Sequence, residues 1–253
     1  MAGHSHSSNI KFRKDRVDSK RAKLFSKLSR MITVAARQGG GLIDGNPRLR
    51  LAVDKARVVS MPKDAIERAI KKGTGEGSVG DFEEVLYEGY GAGGVAVMLE
   101  ILTDNRNRTA AEIRKVFEDA GGNLGTTGAV AWMFERRGVF DVDPSTELDE
   151  ERLLEVALAA GAEDLVSEGA VSTIYCALAD FTAVKQALEE AGVPLRGAEP
   201  AHVPTQRAGV SDLAVARRVV RLLDALDDHD DVQNVYSNED FTDEVAQQLA
   251  ADA

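Results

Sequence analysis

Residues 73–81, Gly-Thr-Gly-Glu-Gly-Ser-Val-Gly-Asp, hold four glycines and no large apolar side chain, so the stretch can join no core and reads as a linker. A chain interrupted in this way must build separate cores on either side. The two sides also differ in charge. Residues 1–72 hold 18 Lys+Arg against 6 Asp+Glu, a net +12, and residues 73–253 hold 13 against 36, a net −23, which together give the −11 of the whole chain. At physiological salt the Debye length is about 8 Å, so an acidic body a few such lengths away scarcely cancels the attraction of the basic end for a polyanion. The expected partner is nucleic acid. The alternative is that the basic end docks on the acidic body of its own chain or of a neighbour, and salt-dependent binding to nucleic acid separates the two.

The basic side reads as an arm and three helices. Residues 1–17 have no apolar periodicity, carry Lys11, Arg13, Lys14 and Arg16, and are expected to be a mobile arm. From Asp18 a helix is expected, with Leu24, Leu28, Met31, Ile32 and Ala35 on one face. Lys20, Lys23, Lys27, Arg30 and Arg37 recur on another face, with Arg21 beside them, and Gly39 to Gly41 stop the helix. Asn46-Pro47 is an N-cap followed by proline at the first helical position. It opens a second helix with Leu49, Ala52, Val53 and Ala56 inward and Arg48, Arg50, Lys55 and Arg57 among its cations. Ser60 to Pro62 repeats the signal for a third helix, which turns Ile66, Ala69 and Ile70 inward and shows Lys63, Arg68, Lys71 and Lys72. These cations, apart from Arg68, are the candidate phosphate contacts.

Beyond the linker, strand and helix signals alternate, as in an α+β or α/β protein. Strands are expected at 85–87, 95–102, 130–134, 139–142, 171–177 and 232–236, and helices at 109–120, 149–160, 181–191 and 212–226. Residues 135–206 read strand, helix, strand, strand, helix, strand, the order of the ferredoxin-like split unit. The flanking pieces are expected to form one interrupted domain. The fold class is α+β, with a three-helix domain followed by two ferredoxin-like α/β domains, one inserted in the other. The boundaries are 1–76, then 77–134 with 207–253, and 135–206 as the insert.

Gly89-Tyr90-Gly91-Ala92-Gly93-Gly94 fits the glycine spacing of a dinucleotide loop, but a β-rich run follows where that chemistry needs a helix. It reads as a hairpin turn. Asn105, Arg106, Asn107 and Arg108 sit where a strand gives way to a helix. Two readings stand there: an anion site at the positive helix end, or capping with the arginines paired to carboxylates. Gly121 to Gly128 is a second glycine-rich loop, either a backbone anion cradle or a wide turn. His4 and His6 lie in the arm, and His202 and His229 stand apart from each other. Asp227, Asp228, Asp230 and Asp231 surround His229 without the glycine and terminal glutamate of a calcium loop, so a solvated helix end is the favoured account. No catalytic residue, metal site or cofactor is expected. The lone Cys176 makes no internal disulfide, apolar runs such as 95–99 are far too short for a membrane span, and a cytoplasmic protein with no small-molecule substrate is expected.

Several motifs in one order carry a closer likeness. Asn9-Ile10-Lys11, Lys20-Arg21-Ala22-Lys23, Asn46-Pro47-Arg48-Leu49-Arg50, Met61-Pro62-Lys63-Asp64, Tyr87-Glu88-Gly89-Tyr90-Gly91, Thr103-Asp104-Asn105-Arg106-Asn107-Arg108-Thr109 and Gly121-Gly122-Asn123-Leu124-Gly125 closely resemble the YebC/PmpR family. That family includes a mitochondrial translational activator of cytochrome oxidase. The resemblance implies a three-domain fold and a non-enzymatic role. Its members are described as DNA-binding transcriptional regulators, or as ribosome-associated translation factors that help synthesis through difficult sequences such as proline runs. The partners implied are DNA or ribosomal RNA, with the ribosome as the assembly. The chain departs from the usual opening at His6-Ser7-Ser8 and at Phe12, so an arm contact made by the family's usual side chains there does not carry over. From the sequence alone, charge reversal of Lys20, Lys23, Lys27 and Arg30 together is expected to abolish binding with the fold retained.

Overall fold

The computed structural model describes residues 21–75, 82–168 and 171–251. The arm with its cations, the helix start at Asp18, Lys20, and linker positions 76–81 lie outside the described residues. Three helices make up the basic side: α1 (Arg21–Gly39), α2 (Pro47–Val58) and α3 (Lys63–Thr74). Asn46 caps α2 as its position suggests, its Oδ1 accepting from the Leu49 N–H at 3.0 Å. Its Nδ2 donates to the carbonyls of Ala35 and Gly40, so one buried side chain also ties the end of α1 to the start of α2. Ser60 does not cap. It takes the left-handed conformation (φ 58°) that turns the chain, and α3 begins after Pro62 without a side-chain cap. Leu28, Ile32, Leu49, Val53, Ile66 and Ala69 share one buried cluster. Beside it Gly73 leaves no room for a side chain, since an added Cβ would stand 2.3 Å from the Thr33 carbonyl oxygen and 2.8 Å from the Ala36 Cβ.

The rest of the chain is α+β. One compact unit spans 134–205. It runs β4 (Phe134–Val142), α5 (Glu150–Ala159), β5 (Ala162–Glu168), β6 (Val171–Cys176), α6 (Phe181–Glu190) and β7 (Leu195–Pro204). The strand order is β5-β6-β4-β7, antiparallel throughout, which is the ferredoxin-like order expected from the β-α-β-β-α-β reading. Phe140, Val142, Leu153, Ile174, Val184 and Leu188 fill its core with Cys176, whose thiol burial pushes up.

The other unit holds the three helices together with the flanking α/β pieces. Its sheet has the order β3-β1-β2-β9, from β1 (Glu83–Tyr90), β2 (Ala96–Thr103), β3 (Asn123–Leu124) and β9 (Val232–Ser237). The β1–β2 hairpin lies at the Gly89–Gly94 loop, as read. Here the hairpin comes first in the chain, so the layers match those of the insert while the strand order differs. Helices α4 (Arg106–Asp119) and α7 (Leu213–Asp227) pack Ile113, Phe117, Val219 and Leu222 against Val97, Leu99 and Ile101. A short parallel pair, β8 (Ala208–Val210) with β10 (Glu239–Phe241), and α8 (Asp243–Ala251) complete it.

The strand expected at 130–134 is a 3-10 turn at Ala131–Met133, with β4 starting at Phe134. Glu88 is the reason. Its buried carboxylate accepts from the N–H groups of Gly128, Val130 and Ala131 at 2.7, 2.8 and 2.8 Å, which removes donors a strand ladder would need. Val130 and Phe134 are buried, while Trp132 is exposed. Among the described residues no helix is long and apolar enough to cross a membrane.

The packing at Gly73 generates a test. Gly73→Ala forces α1 and α3 apart and is expected to cost about 2 kcal/mol, in the range of core overpacking. Thermal unfolding measures it, and an unchanged melting temperature contradicts the close approach.

Candidate nucleic-acid interface

Helix α7 ends in acids. Asp224, Asp227 and Asp228 stand at its C-terminal end with no basic residue in the last turn, the opposite of what the helix dipole favours. The compensation comes from α1. Lys27 donates to the Asp227 carbonyl, Lys23 reaches the Asp228 carbonyl at 3.5 Å, and Arg30 Nη1 donates to the Asp230 carbonyl at 2.9 Å. Lys27 is buried. Burial lowers its ammonium pKa against the opposing charges of Asp227, Asp228 and Asp230, so it is a partly desolvated cation held by an acidic helix end. The acidic cluster is therefore a docking point rather than a solvated end.

Arg30 goes further. Its Nη1 also lies 2.8 Å from Asp231 Oδ1 and 3.4 Å from the Leu102 carbonyl, and its guanidinium sits 5.5 Å from the Phe82 ring centroid. Asp231 is 4% exposed. Its second oxygen accepts from Thr109 Oγ1 at 2.7 Å, Arg108 Nη2 at 2.9 Å and Thr103 Oγ1 at 3.0 Å. Burial alone would raise this carboxyl, but hydrogen bonds from Thr109, Arg108 and Thr103 and the charge of Arg30 hold it below the ordinary carboxylate value. The Asp231 N–H donates to His229 Nδ1 at 3.2 Å, and His229 Nε2 faces Glu112 at 3.0 Å. The end of β2, the start of α4, the start of β9 and one face of α1 thus converge on one carboxylate.

This geometry answers the two readings of the Thr103–Thr109 segment. Asn105 caps α4, its Oδ1 accepting from the Arg108 N–H at 3.1 Å. Arg108 spans Asp104 and Asp231, both at 2.9 Å, and those bonds raise its pKa. Two of the four residues considered for an anion site are therefore engaged by the chain itself, through a cap and a carboxylate pairing. Arg106 and Asn107 are exposed, and the Arg106 carbonyl accepts from the Tyr87 hydroxyl. The second glycine-rich loop contains β3, which pairs with the end of β1 as an edge of the sheet. Gly122 has room for no side chain, since a Cβ there would lie 2.4 Å from the Tyr90 carbonyl oxygen.

The remaining candidate cations divide by helix. Lys27 and Arg30, read as phosphate contacts from their period on α1, face the acidic end of α7, because Asp227, Asp230 and Asp231 hold them there. Arg37 is exposed at the other end of α1. On α2, Arg48 pairs with Glu84 across to β1, and burial lowers its pKa, while Arg50 lies 3.5 Å from Asp44. Lys55 is half-buried. The side chains of Arg57, Lys63 and Arg68 are 65%, 91% and 72% exposed, and Lys71 and Lys72 are exposed beside them. Arg57, Lys63 and Arg68 have carboxylates of their own helices beside them: Asp54 for Arg57 at 3.5 Å, Glu67 for Lys63 at 3.8 Å and Asp64 for Arg68 at 2.8 Å. The sequence showed Arg68 as an exposed cation without placing it among the phosphate contacts, and placed Asp231 in a solvated acidic cluster, whereas Thr103 and Thr109 at the two ends of one seven-residue motif hold its carboxylate.

Comparison with known proteins bears on the whole chain. A family model described as the TACO1/YebC protein N-terminal domain matches residues 5–76, and one described as the TACO1/YebC second and third domain matches 82–239. A probable transcriptional regulatory protein of Halothermothrix orenii is 54% identical over 250 residues, 98% of this chain and 99% of that protein. The transcriptional regulatory protein PmpR of Pseudomonas aeruginosa is 51% identical over 251 residues, covering 98% of this chain and all of that one. The crystal structure of a conserved hypothetical protein from Aquifex aeolicus superposes with a TM-score of 0.82 at 48% identity, over 90% of this chain and 93% of that one.

Removing one partner of the buried pair leaves the other charge uncompensated, so Asp231→Asn is expected to cost about 3 kcal/mol at pH 7. The folded-state pKa of Asp231 is depressed, so its contribution is present above the ordinary carboxylate value of about 4 and fades as pH falls through the folded value. Denaturant unfolding at pH 7 and pH 3 checks this. The gap between wild type and Asp231→Asn should narrow on acidification, and a gap that widens contradicts the assignment.

Proposed function

The chain belongs to the TACO1/YebC family, and from that premise we propose that it is a non-enzymatic regulator of gene expression that binds nucleic acid through the cations of α2, α3 and the N-terminal arm. In this reading it works in the cytoplasm as three domains, 1–76, 77–134 with 207–253, and 135–206. The acidic domains set spacing and offer a protein-facing surface. The observation that carries the reading is the division of labour among the cations. Lys27 and Arg30 of α1 are turned inward by the acidic end of α7, whereas Arg57, Lys63, Arg68, Lys71 and Lys72 face solvent. Exposed pairs within one helix are worth only about 0–1 kcal/mol, so a phosphate can replace the carboxylates of Asp54, Asp64 and Glu67 at little cost. Each phosphate so neutralised releases counterions and adds roughly 0.9 to the log–log salt slope on duplex DNA.

DNA is the leading target, in line with the names of the relatives. A second reading, ribosomal RNA on the ribosome, draws on the chemistry of the same surface. Only residues 59–62 join α2 to α3, and the exposed positions of both helices carry mainly cations rather than the Asn or Gln that read base edges. Contacts to backbone and shape suit structured RNA as well as a promoter. Crosslinking in cells followed by sequencing of the attached strands separates the two targets.

The charge-reversed variant that tests the reading avoids α1. Arg57→Glu, Lys63→Glu, Lys71→Glu and Lys72→Glu together should abolish retention of nucleic acid in gel-shift and ribosome-pelleting assays. Surface changes of this kind move stability by only about 0.5 kcal/mol each, so the melting transition should survive. Undiminished retention would refute the proposal.

A further inference from the structure

The acidic body carries a second group of positive charges that its net charge conceals. Helices α4 and α7 run antiparallel over one face of the sheet. At one end Glu112 meets His229, and at the other the Arg218 guanidinium lies 3.6 Å from where a Cβ of Gly121 would stand. Their exposed positions hold Arg114 and Lys115 on α4 and Arg217, Arg218 and Arg221 on α7. Glu118 and Asp119 follow on α4, so the positive character centres on α7. Among the described residues Arg114, Lys115, Arg218 and Arg221 form no ion pair, although acids outnumber bases 36 to 13 in residues 73–253. Elsewhere in that part of the chain Arg137, Arg152, Lys185 and Arg196 each have a carboxylate within 4 Å.

The charge order along α7 sharpens the point. Its aspartates lie at the C-terminal end, against the helix dipole, and Arg217, Arg218 and Arg221 occupy its middle turns. At the C-terminal end the cost is offset by Lys23, Lys27 and Arg30. No carboxylate among the described residues pairs with Arg218 or Arg221. We infer that the α4–α7 face is a second phosphate-contact surface, which takes the backbone of the same nucleic acid that α2 and α3 hold. The inference rests on the proposed function and extends it. Arg221 precedes Asp228, where α1 docks, by seven residues, about 10 Å of helix. Duplex DNA carries a charge about every 1.7 Å of its axis, so one duplex presents phosphates over that distance several times over.

The test uses the full chain, with Arg217→Glu, Arg218→Glu and Arg221→Glu combined, and the Gln triple variant as a second form should the Glu form fold poorly. Fluorescence anisotropy with a labelled 30-base-pair duplex and with a labelled structured RNA hairpin is read across a salt series, and melting is followed alongside. The inference expects wild-type binding, a slope lowered by about 2 to 3 in the variant, and affinity at low salt reduced at least tenfold with melting retained. Wild-type binding with an unchanged variant slope overturns the second surface and leaves the proposed function standing. Failure of the wild type to bind either probe overturns both. A variant that keeps its affinity but changes its sedimentation mass assigns the arginines to an acidic surface of a second copy, and overturns the inference too.

Discussion

The pairing of Arg30 with the buried carboxylate of Asp231 organises the larger of the two units. A carboxylate at this depth is tolerated only when its oxygens are satisfied, and here Thr103, Thr109, Arg108 and Arg30 all donate to it. Those donors come from a strand end, a helix start and a helix on the far side of the linker. Removing the acid would release all of them at once. The adjacent carbonyls of Asp227, Asp228 and Asp230 accept from Lys23, Lys27 and Arg30, so the dipole of α7, unfavourable to its own acids, is answered by a neighbouring helix.

That arrangement changes the meaning of a basic segment. A net +12 over residues 1–72 suggests a uniformly adhesive surface. Part of it is instead committed to holding the chain together, and the cations of α2 and α3 are left for a partner. The acidic total misleads in the same way, since it conceals the arginines of α7. Net charge is a sum over surfaces, whereas phosphate meets one surface at a time.

Much of the fold was legible in sequence because its signals are local. Asn46-Pro47 opens α2 through a cap that needs three residues, and the β-α-β-β-α-β pattern of the insert produces the observed strand order. What escaped the sequence depends on distant partners. The turn at Ala131–Met133 reads as a strand by alternation, and only the carboxylate of Glu88, some 40 residues earlier, takes the donors a strand would use. The period of Lys23, Lys27 and Arg30 places them on one face of α1, yet whether that face meets solvent or Asp231 is decided about 200 residues away. The arginines at 106 and 108 look alike in a motif, and burial of Asp231 engages the second directly.

The account assigns Lys27 and Arg30 of α1 to architecture and the cations of α3 to binding, and two neutralising substitutions measured side by side test that partition. Lys27→Gln should lower the melting temperature while leaving the slope of nucleic-acid affinity against salt unchanged. Lys63→Gln should lower that slope by about one while leaving melting unchanged. A Lys27→Gln variant that melts like the wild type and loses salt dependence would contradict the account.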